Sequence, residues 1–428
     1  MFDELAVLDP TADEAALIAR ITALEIAKSA AAAGQARATA ALDAARRSAQ
    51  EALGMPAAKR GKGLASEIAL ARHDSPNRGN QHLGFANALV HDMPHTLAAL
   101  SAGVLSEWRA ALIVRESACL SVENRRRLDA ELCADQNGLA GLGNKRIEAA
   151  AKSIAYRLDP QAVTDRAARA PSERGVALRP APDAMSYLTA LLPMSQGMAV
   201  HAALTKAADT CGDGRARGHV MADTLVQRIT GRPAEVPVPV AVNLVITDES
   251  LLAGNTTLAR VPGYGPIPAA IARRLIGGAV WDDRSKATLR RLYKHPTSGA
   301  LVAMESKARC FPKRLATFIA IRDDTCRTPY CDAPIRHTDH ADPHIRGGPT
   351  NAVNGNGTCA ACNYTKEAPG WRVLTWHTDD GVHVADFTTP TGAHHRSQAP
   401  PLPGHAVPDK ASDVEAAVAN HLAHHRAA

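Results

Sequence analysis

The apolar positions near the start of the chain repeat with the spacing of a helix. From Thr11 to Gly54 the sequence is rich in alanine and almost free of helix-breaking residues. Apolar residues step by threes and fours, which predicts one long helix, or two helices separated at Gly34. The expected packing stripe is Leu17, Ile21, Leu24, Ala27, Ala31, Ala38, Leu42, Ala45 and Ala49. Its small residues suit close packing against a helix of the same chain, or self-association through this helix.

Further helices are expected over residues 64–157. Ser121 precedes one of them and is a candidate N-cap, because a serine oxygen can accept from the first free N–H groups of a helix. One apolar face is expected to contain Leu97, Leu100, Leu105, Trp108 and Leu112. Residues 1–157 are therefore predicted to be a mainly helical region.

After Arg157 the pattern changes to a mixture of strands and helices. Short strands are expected at 176–178 and 185–192, and a clearer one in the apolar run 236–247. Helices are expected at 195–209, 219–230 and 268–276. Residues 158–284 are therefore predicted to be a small mixed segment, which makes the fold class α+β.

The last third of the chain alternates short strands with one helix. Strands are expected at Leu289–Tyr293 and Gly299–Glu305, and Pro312 suits the start of a helix that reaches about Arg322. The runs WRVLTWHT and GVHVADFT are expected to pair across an Asp-Asp-Gly turn. Residues 285–389 are thus a third predicted domain. Residues 390–428 follow as a loose Pro/Gly-rich linker, to 411, and a final helix from Ser412.

Composition narrows the class of protein. No apolar run among the 428 residues approaches the length of a membrane span, and acidic residues stand where a signal peptide needs basic ones. A cytoplasmic protein without a membrane partner is expected. Eight cysteines are too few and too scattered to predict a disulfide framework. The net charge of +6 permits nucleic-acid binding without demonstrating it.

Two cysteine pairs near the C-terminus have the spacing of a metal site. Cys326 and Cys331 are separated by four residues, and Cys359 and Cys362 by two. Four thiolates form a closed tetrahedral zinc site that serves structure, because no position is left for a substrate. Free buried cysteines or a disulfide pair are the alternatives.

The residues around these cysteines resemble the HNH endonuclease family. The order C..C, D-H, G-G, N, C..C-N and K is present between Cys326 and Trp371. On this likeness His340 is the first histidine of the name, Asn354 the middle asparagine, and Asn363 the last residue. The resemblance implies a ββα-metal fold, in which a hairpin carries His340 and a helix begins near Asn363.

This likeness implies hydrolysis of phosphodiester bonds in DNA. A neutral imidazole suits the task of activating water, so His340 is the candidate general base. Asp339 and Asn363 offer oxygen ligands, which favour Mg²⁺ or Mn²⁺ as a catalytic ion beside the structural zinc. Because neighbours on an extended segment point in opposite directions, Asp339 can hold a metal while His340 faces the substrate. Asn354 completes the predicted catalytic set, with an amide able to pin the loop.

Basic residues around the motif are candidate phosphate contacts, because neutralised phosphates supply sequence-independent affinity for DNA. The nucleic-acid-binding residues predicted here are Lys313, Arg314, Arg346 and Lys366. Arg322, Arg327 and Arg336 belong to the same basic cluster. A solvated helix face explains any one of them equally well.

A second class of function fits the same residues. A zinc-stabilised nucleic-acid-binding or interaction protein without catalysis needs only the four cysteines. Asp339 would then cap a loop, and Asn363 would cap a helix. Thr358 departs from the HNH pattern, in which an apolar residue usually precedes the third cysteine.

The front of the chain resembles another family. The runs MPHTLAALSAGVLSEWRAALIVRE and GYGPIPAAIARRL carry a likeness to the actinobacterial 13E12-repeat family, also called domain of unknown function 222. The likeness covers residues 30–277. It implies no mechanism.

Overall fold

The computed structural model describes residues 7–8, 10–139, 141–233, 244–247, 250–251, 254–281 and 311–404. The chain divides into two units, Met1–Arg169 and Ala170–Ala428. In the described part of the chain, no helix combines the length and the apolar character that crossing a membrane requires.

All regular secondary structure in the described part of the first unit is helical, as predicted. A π-helical turn at Ala88–Asp92 joins its third helix to its fourth. The α-helices are α1 (Glu14–Ala52), α2 (Leu64–Ala71), α3 (Gly79–Asn87), α4 (Pro94–Ser101), α5 (Glu107–Ser117), α6 (Val122–Cys133), α7 (Asn144–Leu158) and α8 (Pro160–Arg169). Helix α1 is continuous through Gly34, so the one-helix prediction is confirmed.

The predicted packing stripe of α1 is wrong. Ala31, Ala38 and Ala45 are exposed. The buried positions are instead Ser29, Ala32, Ala33, Ala36, Thr39, Ala40 and Asp43. Alanine occupies every side of this helix, so spacing alone does not select a face, and the contacts with α3 and α4 select it. Self-association through α1 stays a prediction.

The core of the first unit is one continuous apolar cluster. It draws Leu89, Leu100, Ile113, Leu128 and Ile147 from successive helices and excludes them from solvent. Burial of this kind is the main favourable term in folding.

A buried carboxylate organises the start of α4. Asp129 of α6 accepts hydrogen bonds from the backbone N–H groups of His95 and Thr96, each at 2.8 Å. These N–H groups belong to the first turn of α4, where no helical carbonyl can bind them. Asp129 therefore joins α6 to α4 through a polar contact inside an apolar core.

The predicted cap at Ser121 is confirmed, and the predicted apolar face from Leu97 to Leu112 is confirmed only in part. Ser121 caps α6 by accepting from the N–H of Asn124 at 3.2 Å, which confirms the predicted cap. Leu100, Leu105 and Leu112 are buried as expected, but Trp108 is 61 % exposed. The predicted face continues across the loop between α4 and α5. The loop changes which side of α5 faces the core, so one helical spacing does not hold for both helices.

The second unit combines helices with small antiparallel sheets, so the α+β class is confirmed in outline. Its strands are β1 (Gly175–Ala181), β2 (Met185–Leu191), β3 (Ala259–Val261), β4 (Gly265–Ile267), β5 (His337–His340), β6 (Gly355–Thr358), β7 (Arg372–His377), β8 (His383–Thr388) and β9 (His394–Gln398). Its helices are α9 (Met194–Thr210), α10 (Arg217–Thr230), α11 (Ala269–Trp281), α12 (Lys313–Asp323) and α13 (Ala360–Lys366). The sheets pair β1 with β2, β3 with β4, β5 with β6, and β7 with β8 and β9.

Several predictions fall outside the described residues. They are the strands at 289–293 and 299–305, the first part of the strand at 236–247, and the helix from 412. Residues 244–247, at the end of the predicted strand 236–247, are described, and Val245 there forms an isolated bridge with Arg260. The division into four domains stays a prediction.

The prediction that residues 390–411 are loose is wrong for His394–Gln398, which form β9. Ala385 of β8 pairs with Ser397, and Phe387 pairs with His395. The segment has few apolar residues, so no alternating pattern predicts a strand there. β9 is an edge strand, and its backbone hydrogen bonds to β8 hold it in place.

Candidate metal centre and active site

Four cysteine side chains meet in the second unit. The sulfur atoms of Cys326, Cys331, Cys359 and Cys362 all lie within 4.8 Å of one another, and all four residues are buried. The Cys331 Sγ is 3.9 Å from that of Cys359 and 3.7 Å from that of Cys362. A zinc ion bound tetrahedrally at about 2.3 Å requires sulfurs about 3.8 Å apart. The four residues therefore fit a structural zinc ion.

Hydrogen bonds among the four thiols shift their pKa values in opposite directions. The hydrogen bond from Cys331 is the main cause that lowers the pKa of Cys326 to about 7. Bonds from the other three sulfurs hold the pKa of Cys359 far below its usual range. Hydrogen bonds within the cluster raise the pKa of Cys331 and Cys362. All four cysteines are free, and the two measured sulfur separations are well beyond the roughly 2 Å of a disulfide.

The cysteines fix the ends of a hairpin and a helix. Strand β5 pairs with β6 from His337 opposite Thr358 to His340 opposite Gly355. Cys359 follows β6 directly and caps α13, with its sulfur accepting from the N–H of Cys362 at 3.4 Å. The chain thus contains a β-hairpin with a long loop, followed at once by a short helix.

Asn354 closes the loop of this hairpin. Its Oδ1 accepts from the N–H of Asp342 at 2.8 Å, and its Nδ2 donates to the carbonyls of Asp342 and Pro349. Gly348 lies so close that a Cβ there would stand 1.9 Å from the carbonyl oxygen of Asp342. The predicted loop-pinning role of Asn354 fits this geometry, and the side chain does not face solvent.

His340 lies at the base of the loop and is buried. Its Nε2 is 2.8 Å from the Thr350 hydroxyl, and its ring packs 4.5 Å from that of Phe311. Burial is the main cause that lowers the pKa of His340, and the Asp339 carboxylate opposes the shift. The imidazole is therefore neutral at pH 7, which is the form that accepts a proton.

Asp339 faces a lysine. Its Oδ2 lies 2.9 Å from Nζ of Lys366, whose side chain is 5 % exposed and also contacts Glu367. Burial raises the pKa of Asp339, but the hydrogen bond and charge of Lys366 outweigh this and hold it below its usual range. Lys366 was predicted to bind phosphate, and in this arrangement its ammonium group is enclosed by carboxylates instead.

Asn363 is bonded to Thr358. The Thr358 hydroxyl, which is buried, lies 3.2 Å from Oδ1 of Asn363. This bond uses the amide oxygen that the sequence assigned to a catalytic ion. In the described structure no hydrogen bond or ion pair joins Asp339 to Asn363. Thr358, which departs from the HNH pattern, therefore binds the oxygen that was predicted to hold the catalytic ion.

The basic residues divide into two groups. Lys313, Arg314 and Arg346 are exposed, as a phosphate-binding surface requires. Arg322 and Arg327 are 3 % and 4 % exposed, so assigning them to that surface is wrong. Their charges are needed inside the fold, where they compensate a buried carboxylate.

This buried carboxylate belongs to Asp323, which the sequence patterns did not indicate. Arg322 binds both of its oxygens, at 2.7 and 3.0 Å, and the N–H of Gly357 donates to one of them at 2.7 Å. Arg327 donates to the carbonyls of His383 and Ser397. The network thereby joins α12, strand β6 and the sheet β7–β8–β9. No sequence signal separates these charges from ordinary surface charges.

Thr350 was also missed, although it follows the Gly-Gly pair closely. Its hydroxyl is the partner of His340 Nε2, as described above. In the part of the chain that the structure describes, the four cysteines are the one group of three or more His, Cys, Asp or Glu side chains placed to hold a metal.

A family profile matches most of the chain. The profile of the family described as Domain of unknown function (DUF222) matches residues 22–323, more than two thirds of the chain. An uncharacterized protein of Mycobacterium tuberculosis, Rv3776, is 29 % identical over 167 residues, which cover 34 % of this chain and 30 % of that protein. The chain thus spans less than a third of the length of this curated relative. No solved structure matches. The profile match ends before Cys326, so the cysteine cluster lies outside it.

Proposed function

The chain belongs to the DUF222 family, and we propose that the part containing the cysteine cluster, which lies outside the matched residues, is a DNA endonuclease that hydrolyses phosphodiester bonds at an HNH-type site. One arrangement supports this function most strongly. A hairpin presents Asp339 and His340 directly beside a helix that is held by four clustered cysteines. Asn354 closes the loop of the hairpin.

His340 is the proposed general base. Its pKa is lowered by burial, so the neutral imidazole is available at neutral pH. The Asp339 carboxylate lies 3.8 Å from Nδ1 and favours a proton there, which leaves Nε2 as the basic nitrogen. Thr350 occupies Nε2 in this structure, so the attacking water must replace the hydroxyl or pass its proton through it.

The oxygens of Asp339 and Asn363 are not arranged as a cation site. Lys366 binds the first and Thr358 the second. The plasmid-cleavage assay, run with and without the ions, tests the predicted requirement for Mg²⁺ or Mn²⁺.

Plasmid cleavage tests the proposed function. The zinc-loaded full chain is incubated with supercoiled plasmid, with and without Mg²⁺ or Mn²⁺, as wild type, His340→Ala and His337→Ala. His337 lies on the same strand and is a matched control. We expect cleavage by the wild type and by His337→Ala, and a loss of about 10²–10⁴-fold in His340→Ala, the range for a general base. Intact plasmid with the wild type, or equal cleavage by His340→Ala, contradicts the proposal.

Thr358→Val tests the role of Asn363. The change removes the hydroxyl that binds Asn363 Oδ1 and keeps the side-chain shape. If this oxygen holds a catalytic ion, Thr358→Val reaches half-maximal cleavage at a lower Mg²⁺ concentration than the wild type. An unchanged requirement contradicts that ligand assignment.

A zinc-stabilised nucleic-acid-binding protein without catalysis is the second candidate. The enclosure of His340 and the pairing of Asp339 with Lys366 favour it, because both groups are committed to protein partners. This candidate predicts that wild type and His340→Ala bind DNA equally and leave the plasmid intact.

A further inference from the structure

The sheet β7–β8–β9 has one face that points away from the hairpin site. The pairing places three rows of side chains on this face, since alternate residues of a strand share a side. The rows are Arg372–Thr388–His394, Leu374–Asp386–Arg396 and Trp376–Val384–Gln398. The opposite face packs Val373, Ala385 and Phe387 against Ala341, the residue that follows His340.

The outward face is basic, and its donors are held in place. Arg372, His394 and Arg396 are exposed. Asp386 is the one acidic residue of the three rows and is 5 % exposed. It accepts from Nε of Arg396 at 2.7 Å and lies 2.9 Å from Nδ1 of His394.

This pairing fixes two side chains without using all of their donors. Burial raises the pKa of Asp386, but the hydrogen bonds from Arg396 and His394 outweigh it, so the carboxylate stays ionised. The side chain of Arg396 is 67 % exposed, and that of His394 is 61 % exposed. The terminal N–H groups of the guanidinium therefore remain available to a ligand.

The same face carries an aromatic ring and an apolar neighbour. Trp376 is 36 % exposed and Leu374 is 63 % exposed. The guanidinium of Arg396 lies over the Trp376 ring, 5.7 Å from its centroid. Cationic side chains beside an aromatic ring on an open sheet provide phosphate contacts and a stacking surface together.

We propose that this face binds single-stranded nucleic acid, with Arg372 and Arg396 contacting phosphates and an unpaired base stacking on Trp376. A duplex does not offer such a base, because its bases are paired and stacked on one another. Asp379 and Asp380 form the exposed turn beyond Trp376, so the phosphates are expected at the opposite end of the sheet, near Arg372.

This inference rests on the proposed function for its choice of nucleic acid as the ligand, and it names the form of nucleic acid that is bound. Since the inner face of the sheet contacts Ala341, the sheet lies between the bound strand and the hairpin that carries His340. A strand held there reaches the site only by passing round an edge of the sheet.

Fluorescence anisotropy tests the surface. A labelled single-stranded oligonucleotide and its duplex are titrated with the zinc-loaded full chain as wild type, Trp376→Leu, Arg372→Gln with Arg396→Gln, and Arg179→Gln. Arg179 is a matched control, because its guanidinium lies over the Tyr187 ring at 5.2 Å on the separate hairpin β1–β2. Zinc content and circular dichroism verify the fold of each variant.

Trp376→Leu is expected to weaken single-strand binding about tenfold and to leave duplex binding unchanged, because only the single strand loses a stacked base. The double arginine variant is expected to lower the salt dependence of single-strand binding by roughly 1.4 in the log–log slope, the value for two phosphates. Arg179→Gln is expected to bind as the wild type does.

Single-strand binding by Trp376→Leu that equals the wild type overturns the surface, and so does an equal loss in Arg179→Gln. If the wild type cleaves plasmid while the sheet variants bind normally, the surface alone fails. If the sheet variants lose binding and the wild type leaves plasmid intact, the surface stands and the nuclease function fails. A wild type that binds no nucleic acid contradicts both.

Discussion

The helical first unit and the C-terminal region 311–404 are held together by different means. The first unit has one continuous cluster of buried apolar side chains drawn from most of its helices. The C-terminal region has several small apolar clusters, and between them it buries Arg322, Asp323, His340, His383 and Asp386. Its cysteines form a cluster of their own.

The difference shows what each kind of interior can do. Apolar contacts are not directional, so an apolar core tolerates adjustment and defines position loosely. Hydrogen bonds and metal–sulfur bonds have fixed lengths and directions. A region built on them can hold Asp339, His340 and Asn354 in one arrangement, but it depends on every partner being present.

Loss of the metal should have the largest effect. Cys362→Ser, or chelation of the wild type, removes a contribution on the order of 10 kcal/mol, because the metal-binding free energy of such sites is folding free energy. Hydrogen exchange should become fast throughout 311–404 and stay slow in α4 to α7. Cys211→Ser, at a half-buried cysteine outside the cluster, should change neither region. Slow exchange in β5 and β6 after chelation contradicts this account.

Arg322→Leu should cost about 3–5 kcal/mol, since it leaves the buried Asp323 carboxylate without its main partner. The remaining cation, Arg327, is 3.6 Å away from that carboxylate. Urea denaturation measures the change. Leu100→Ala in the apolar core provides the comparison, with an expected cost of about 2–5 kcal/mol. A cost below about 1 kcal/mol for Arg322→Leu means that the network does not hold the region together.

Acid should weaken the C-terminal region through His383. Burial is the main cause that lowers the pKa of His383 to about 2 in the folded chain, against about 6.5 when unfolded. Below about pH 6.5 the unfolded state takes up a proton that the folded state refuses, so stability falls as pH falls. The loss between about pH 7.5 and about pH 6 should be about 0.8 kcal/mol. His383→Gln should show a correspondingly smaller pH dependence, and equal slopes for both proteins refute this origin.

A cap in the helical unit should have the smallest effect. Ser121→Ala removes the acceptor for the N–H of Asn124 and should cost about 1 kcal/mol in thermal or urea unfolding of the first unit. Ser153→Ala, at an exposed position inside α7, should be neutral or slightly stabilising, because alanine is the better helix former. Equal effects of the two changes contradict the capping role.

Sequence patterns predicted the elements better than their packing. Strong local signals, such as the Ser121 cap and the strands on either side of the Asp-Asp-Gly turn, are confirmed. The buried face of α1 was missed because an alanine-rich helix looks alike on all sides. Strand β9 was missed because its pairing with β8, and not its own residues, makes it a strand.

At the candidate site, the pattern identified residues but not their partners. The four cysteines come together as their spacing predicted. The contacts of His340 with Thr350, of Asp339 with Lys366 and of Asn363 with Thr358 depend on the tertiary fold. No local spacing encodes them, and none distinguishes the buried Arg322 from the exposed Arg314.

The central claim is that four cysteine sulfurs bind one metal ion and thereby build the hairpin that carries His340. X-ray absorption at the zinc edge of the purified full chain tests it most directly. The account predicts four sulfur neighbours at about 2.3 Å and no nitrogen or oxygen ligand. A chain without bound metal, or an ion with fewer than four sulfur ligands, would contradict it.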